Sequence, residues 1–484
     1  MHHHHPAPAP RRRHTLSRRF VAAAFIALLL AVPPLVAAAD NDAPRPNFVV
    51  IFCDDLGYGD LGAFGHPTIH TPRLDRMAAE GQKWTQFYVA ASVCTPSRAG
   101  LLTGRLPNRY GMKSGRNRVL FPNSLSGLPE SELTLATALG DLGYATHCVG
   151  KWHLGHLEEF LPTNRGFDSY FGIPYSNDMD KVKEGNHRQL AVDEDFEAYN
   201  VPLMRGTEII ERPADQRTIT MRYAEEAVRL IRERDADQPF FIYLAHSLPH
   251  IPLFRSEAFK DSSRAGIYGD VIEELDYTTG MVLDALAEEG IDEDTLVIFT
   301  SDNGPWLIFD FHGGISGPLR EGKGTTWEGG FRVPTVIRWP GHIPAGQTVA
   351  ELGSTLDLMA TFVALAGGEL PDDRVYDSHD LSPTLLRGEP SPRDDMFFYR
   401  GDDLYAVRLG AFKAHFITQT AYTPAARERE QHDPPLLFHL DHDPGERFDV
   451  ADQHPEVIEA ILQRAAEHQD TVEEVENQLD KRGN

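Results

Sequence analysis

Asn47-Phe48-Val49-Val50-Ile51-Phe52-Cys53-Asp54-Asp55 is the stretch whose reading decides the fold. Residues 48–53 form a short β-type apolar run, closed at its carboxyl end by two acids. From there the chain alternates similar runs with longer helix-type segments, the pattern of an α/β domain on a mostly parallel sheet. Further strands are predicted at 145–149, 240–245 and 296–300, and helices at 134–142, 221–232 and 270–287. A helix is also predicted at 72–80, with Thr71 as N-cap, Pro72 in its first turn and Gly81 at its end. Another begins near Pro96 with Thr95 as cap and ends by Gly104. After about residue 380 the pattern changes to short strands at 396–399, 404–408, 412–416 and 436–440, followed by an amphipathic helix at 455–479. The expected organisation is a large α/β domain over 40–379 and a small α+β domain over 380–484. Two stretches without periodicity, 178–216 and 418–435, are expected to shape the substrate entrance.

The chain has 484 residues, of which 41% are hydrophobic and 24% charged, which excludes a disordered, collagen-like or coiled-coil protein. Lys and Arg number 46 against 72 Asp and Glu, a formal charge of −26. Nucleic acid is therefore excluded as a partner, because phosphate neutralisation needs a basic face. An anionic substrate would need a locally inverted field. The only cluster of arginines, Arg11, Arg12, Arg13, Arg18 and Arg19, precedes an apolar run at 20–32 and Ala37-Ala38-Ala39. Residues 1–39 thus read as a cleaved signal peptide, so the protein is expected to be exported, periplasmic or secreted. The run is shorter than the ~20 residues of a spanning helix, so no stable membrane anchor is expected. His2 to His5 read as a tag or biased tail. The three cysteines, Cys53, Cys94 and Cys148, are too few for a disulfide scaffold. Cys53 and Cys148 lie in strand-like runs and read as buried free thiols.

Polar residues follow each predicted strand: Asp54 and Asp55, then Lys151 and His153, then His250, then Asp302 and Asn303. Ligands of open α/β sheets bind outside the carboxyl ends of strands, so these segments should converge on one crevice. Asp54, Asp55, Asp302 and the amide oxygen of Asn303 make an all-oxygen set suited to a hard cation such as Ca²⁺ or Mg²⁺. Three carboxylates packed closely would repel one another without it. Cys94 stands before a predicted helix N-terminus, where the dipole favours an anion or an activated nucleophile, and Arg98 lies one turn on.

Cys94-Thr95-Pro96-Ser97-Arg98, continuing through Gly104-Arg105, resembles the signature of the type I, formylglycine-dependent sulfatases. Gly150-Lys151-Trp152-His153-Leu154-Gly155 resembles the second signature of that family. The similarity extends through Gly172-Ile173-Pro174-Tyr175-Ser176, Ser301-Asp302-Asn303-Gly304-Pro305 and Gly322-Lys323-Gly324-Thr325-Thr326, and within the family it points to the arylsulfatase A and galactosamine-6-sulfatase groups. The resemblance implies an alkaline-phosphatase-like fold and hydrolysis of an aryl or sugar sulfate. It implies that a maturase converts Cys94 to formylglycine (3-oxoalanine) and that Asp54, Asp55, Asp302, Asn303 and position 94 bind Ca²⁺, with Mg²⁺ the other hard cation. One hydroxyl of the hydrated aldehyde attacks sulfur while Arg98 and Lys151 neutralise the sulfate. His250 and Lys323 protonate the departing alcohol, Ser176 contacts sulfate, and His153 takes the proton of the second hydroxyl to expel it. Two alternatives stay open on sequence grounds: a phosphonate or phosphate ester hydrolase of the same superfamily, and an inactive homologue that binds sulfated glycans.

Overall fold

A computed structural model of the chain describes residues 1–2, 45–422 and 428–483, so the expected signal peptide lies outside the described residues beyond His2. Residues 44–484 form one unit carrying two sheets. The strands of the large sheet are β1 (Asn47–Cys53), β2 (Gln82–Tyr88), β3 (Ala145–Gly150), β4 (Ser169–Gly172), β5 (Leu203–Arg205), β6 (Glu208–Glu211), β7 (Phe240–Ala245), β8 (Thr295–Ser301), β9 (Thr335–Arg338) and β10 (Gln347–Ser354). They run in the order β10-β2-β9-β8-β1-β7-β3-β4-β5-β6. The central run from β8 to β4 is parallel throughout. β9 is antiparallel to both β8 and β2, so β2 points the same way as the central strands.

β1 shows why this sheet forms. All seven of its residues are buried. Val49, Ile51 and Cys53 enter one core, and Phe48, Val50 and Phe52 enter the other. A strand with helices on both faces loses the polar half of its alternation. Burying each of these large side chains contributes about 2 kcal/mol. Helices Ile219–Arg232 and Gly266–Glu288 cover the first face through Tyr223, Ile231, Ile272 and Leu275. Helices Cys94–Thr103, Leu135–Asp141 and Asp357–Leu365 cover the second through Leu101, Leu139 and Phe362.

The small sheet is an antiparallel meander of β11 (Asp395–Arg400), β12 (Asp403–Leu409), β13 (Phe412–Thr418) and β14 (Glu430–His439). Helix Pro455–Gln469 packs on it through Ile458, Ile461 and Ala465. That helix ends ten residues before its predicted end, because the chain turns back to the main body. Gln478 N donates to Gly111 O at 2.7 Å, and Leu479 is buried in the second core. The strands that the sequence does not announce, β2 and β10 above all, carry Gln, Lys, Thr and Glu and lack the continuous apolar signal. Cys53, Cys94 and Cys148 are free, buried thiols. Among the described residues no helix is long and apolar enough to cross a membrane.

Candidate active site

The parallel strands β8, β1, β7 and β3 end side by side, and each delivers a polar segment at its carboxyl end. Backbone hydrogen bonds tie these segments together: Asp302 N to Cys53 O at 3.0 Å, Asp54 N to Leu248 O at 3.1 Å and Lys151 N to Ala245 O at 2.7 Å. Gly150, with φ of 106°, permits that last approach, since a Cβ there would stand 1.9 Å from Ala245 O. Asp55 and His153 both hold φ values near 60°, at 66° and 59°. Left-handed backbone at a residue with a Cβ costs about 1–2 kcal/mol, and the packed strand ends impose it.

Asp54, Asp55, Cys94 and His250 offer ligand atoms that all lie within 4.8 Å of one another, and all four residues are buried. The Cys94 thiol donates to Asp54 Oδ1 at 3.3 Å, and Lys323 Nζ lies 3.5 Å from the sulfur. Lys323 also pairs with Asp55 Oδ1 at 2.7 Å. Lys151 forms an ion pair with Asp54 and donates to Ser176 Oγ at 3.1 Å. Arg98 pairs with Asp302 Oδ2 at 2.7 Å and donates from Nη1 to Lys151 O at 3.1 Å. The Asn303 amide nitrogen donates to Asp55 Oδ1 at 2.7 Å. His153 lines the same cavity as Cys94, Ser176, His250 and Lys323. All eleven residues singled out in the sequence therefore meet at one place.

Three details differ from the sequence reading. The helix begins at Cys94, not near Pro96, and follows Val93 without a side-chain cap. Thr95 is no cap: its hydroxyl donates to His153 O at 3.0 Å and accepts from Leu120 N at 3.2 Å. The unmodified thiol is not an activated nucleophile, because burial and the neighbouring Asp54 push its pKa well up.

The carboxylates are not equivalent. Burial pushes Asp55 up to about 6, with Asp54 adding to the shift and Lys323 opposing it. Burial and Asp54 push Asp302 up to about 7. Asp54 lies well below the usual range, because Lys151, His250 and Arg98 together outweigh its burial. Asn303 Oδ1 is buried with no hydrogen-bond partner. Two carboxylates of raised pKa beside an orphaned amide oxygen fit a bound hard divalent cation, which would take that oxygen as ligand and favour ionisation of both acids.

The two histidines are set differently. His153 Nε2 faces Leu120 O at 2.9 Å, an atom that only accepts, so Nε2 carries the proton. Its Nδ1 is a buried lone pair without a partner. Burial and Lys151 hold its pKa well below the usual value. His250 Nδ1 likewise donates to Ile251 O at 2.5 Å, leaving Nε2 3.7 Å from Asp55 Oδ2.

These groups open into a cavity of about 560 Å³. Its walls are only half legible in the sequence. Asp178 to Lys181 line it, as expected of the first nonperiodic stretch, but the described residues of 418–435 do not. Residues 116–119, 121 and 122 supply the missing wall, and Trp306 lies against Lys323 and His250. Tyr422 acts from behind, donating to Lys323 O at 2.5 Å. A run such as Arg116-Asn117-Arg118 carries no period that marks it in advance.

Residues 46–368 match the sulfatase family model, and residues 391–484 match that of the C-terminal region of aryl-sulfatase. The chain belongs to the sulfatase family. It is 44% identical to arylsulfatase A of Homo sapiens over 90% of this chain and 89% of that protein. It is 40% identical to N-acetylgalactosamine-6-sulfatase of Mus musculus over 91% and 89%. The solved structure of the PsFucS1 sulfatase from Pseudoalteromonas sp. superposes with a TM-score of 0.79 at 30% identity, covering 91% of this chain and 92% of that one. The reaction class of this sulfatase is hydrolysis of a sulfate ester, and the family implies both a divalent metal and formylglycine.

Proposed function

We propose that this sulfatase hydrolyses a small aryl or sugar sulfate to the alcohol and inorganic sulfate, using formylglycine made from Cys94 and a bound Ca²⁺. One observation carries the reading: the Cys94 sulfur lies inside the carboxylate cluster, flanked by Asp54 and Lys323. Asp54, Asp55, Asp302, Asn303 and position 94 would hold the ion, and the orphaned Asn303 Oδ1 supports that set. The hydrated aldehyde beside the cation would supply the oxygen that attacks sulfur.

The remaining roles belong to the chain's own residues. Lys151, reaching Ser176, neutralises the sulfate oxygens, and Arg98 fixes Asp302 and steadies the incoming charge. Burial alone would favour the neutral amine of Lys323, but Asp55 outweighs it and holds the ammonium, which then stabilises the departing oxygen. His250 delivers the proton through Nε2, the nitrogen left open by its bond to Ile251. Burial and Lys323 hold its pKa low, so it carries that proton only when sulfate charge enters the pocket. His153 accepts the second hydroxyl's proton on its free Nδ1. The hard-cation argument favours Ca²⁺ over Mg²⁺ because this site already supplies a full set of protein oxygens.

In the same reading, residues 1–39 are a cleaved leader, the protein is periplasmic or secreted, and a maturase acts on Cys94. The catalytic domain spans 40–379 and the small domain 380–484, a division supported by β11 starting at Asp395. Turnover of matched aryl sulfate and aryl phosphate esters tests the activity. A strong preference for sulfate is expected, and a large preference for phosphate would overturn it. A panel of defined monosaccharide sulfates then ranks the leaving groups.

A further inference from the structure

The cavity wall that carries no signal in the sequence holds two exposed arginines. Arg116 and Arg118 line the same cavity as Cys94, His153 and Lys323. Acids outnumber bases 72 to 46 in this chain, and many of its described arginines pair with a carboxylate, Arg73, Arg205, Arg338 and Arg393 among them. Among the described residues, neither Arg116 nor Arg118 has an ion-pair partner or a hydrogen bond. The Arg118 guanidinium lies against Gly324, the residue after Lys323: a Cβ there would stand 2.6 Å from Nη1. Arg400 stands within electrostatic range of Arg118, and its guanidinium reaches no partner nearer than Gln419 O at 3.5 Å. Two like charges thus stand within electrostatic range of each other next to a catalytic-site loop. Burial and the charge of Arg118 push the pKa of the Arg400 guanidinium down. Two acids in this region are already committed or weakened. Asp180, across the cavity, is held by Arg212 at 2.6 Å. Glu321, in range of Arg400, is pushed towards its neutral form by burial.

We propose that Arg116 and Arg118 form a second anion subsite, which holds a further sulfate or carboxylate of the substrate while the scissile sulfate sits at position 94. The preferred ester is then a small, doubly charged molecule: an aryl or sugar sulfate bearing a second anionic group. A guanidinium pairs with either oxyanion through parallel N–H bonds, so sulfate and carboxylate share this chemistry. The overall charge of −26 works against long polyanions, which limits the second anion to a compact substrate. This inference rests on the sulfatase reading.

The test compares kcat/KM on three probes: a monosaccharide monosulfate, the corresponding disulfate, and the monosulfate of the uronic acid. Arg118→Gln should lower kcat/KM on both doubly charged probes about tenfold, mostly through KM, and lower it less than twofold on the monosulfate. Arg118→Lys should recover part of the loss, and Arg116→Gln should act in the same direction. Loss with the disulfate alone, or with the uronic acid alone, decides which anion the subsite takes. Equal change on all three probes, or none, overturns the proposal. Thermal unfolding of each variant confirms that the fold is intact. Absence of activity on every sulfate ester in the parent enzyme would instead overturn the sulfatase reading.

Discussion

At the seam between the two sheets, Lys413 pairs with Glu328 at 3.0 Å and Glu446 at 3.1 Å, and donates to Thr326 O at 2.8 Å. Glu446 accepts further from His415 Nε2 and from Glu328 N, each at 2.7 Å. Tyr88 bridges Glu328 and Arg408. The strand-end cluster holds similar groups at similar burial, yet its balance is different. Burial works against ionisation of Glu446, but Lys413 and His415 outweigh it and hold its pKa below the usual range. Asp55 and Asp302 go the other way. In the first cluster the buried carboxylates of Glu328 and Glu446 have protein partners and only the ring nitrogen His415 Nδ1 lacks one, whereas the second leaves the amide oxygen Asn303 Oδ1 and His153 Nδ1 open. Buried charge that satisfies itself builds structure, and buried charge left incomplete is where a ligand belongs.

The largest effects should come from the open cluster. Cys94→Ala should reduce kcat by about 10⁴-fold or more, while Tm moves by only about 2 °C, because the side chain lost is small. Activity that survives this change would remove the functional half of the contrast. Chelation comes next: excess chelator should abolish turnover and lower Tm, and Ca²⁺ should restore both. Ion at about 100 times its Kd would add about 2.7 kcal/mol to stability. A chelated enzyme with unchanged Tm and rate would show that this cluster, too, is closed.

The seam should answer in the opposite sense. Lys413→Met removes the buried cation that Glu328 and Glu446 share and should cost about 3–5 kcal/mol, read by denaturant unfolding. The rate per folded molecule should fall less than tenfold. The smallest effect is one of pH. His468, stacked on Phe397 at 3.6 Å, is pushed down to about 4 by burial. Its folded pKa lies below the unfolded value, so the unfolded chain binds more protons between about 4 and 6.5. The stabilisation is therefore complete above about pH 6.5 and is lost as pH falls towards 4. Between pH 7 and 4, His468→Phe should lose up to about 3 kcal/mol less stability than the parent. Equal pH slopes would contradict this.

The same contrast explains what the sequence reveals and what it hides. Strands β1, β7 and β8 carry apolar runs, β3 is a shorter mixed segment, and the groups after all four are placed by chain direction. Asp54, Lys151, His250 and Asp302 are therefore legible from residue order. The edge strand β10 and its neighbour β2 are not, since mixed composition such as Gln82-Lys83-Trp84-Thr85 gives no strand signal until a neighbour pairs with it. Nor is the wall at 116–122, which lies on the cavity through tertiary placement. Tyr422 stands 99 positions from Lys323, and Glu328 stands 85 positions from Lys413 and 118 from Glu446, so only folding joins them.

The central claim is that turnover depends on the conversion of Cys94. Preparations made with varying amounts of maturase would differ in the fraction of the Cys94 peptide that mass spectrometry finds as formylglycine. Specific activity towards an aryl sulfate should rise in proportion to that fraction and extrapolate to zero at zero conversion. Full activity in a preparation whose Cys94 is entirely an unmodified thiol would contradict the account.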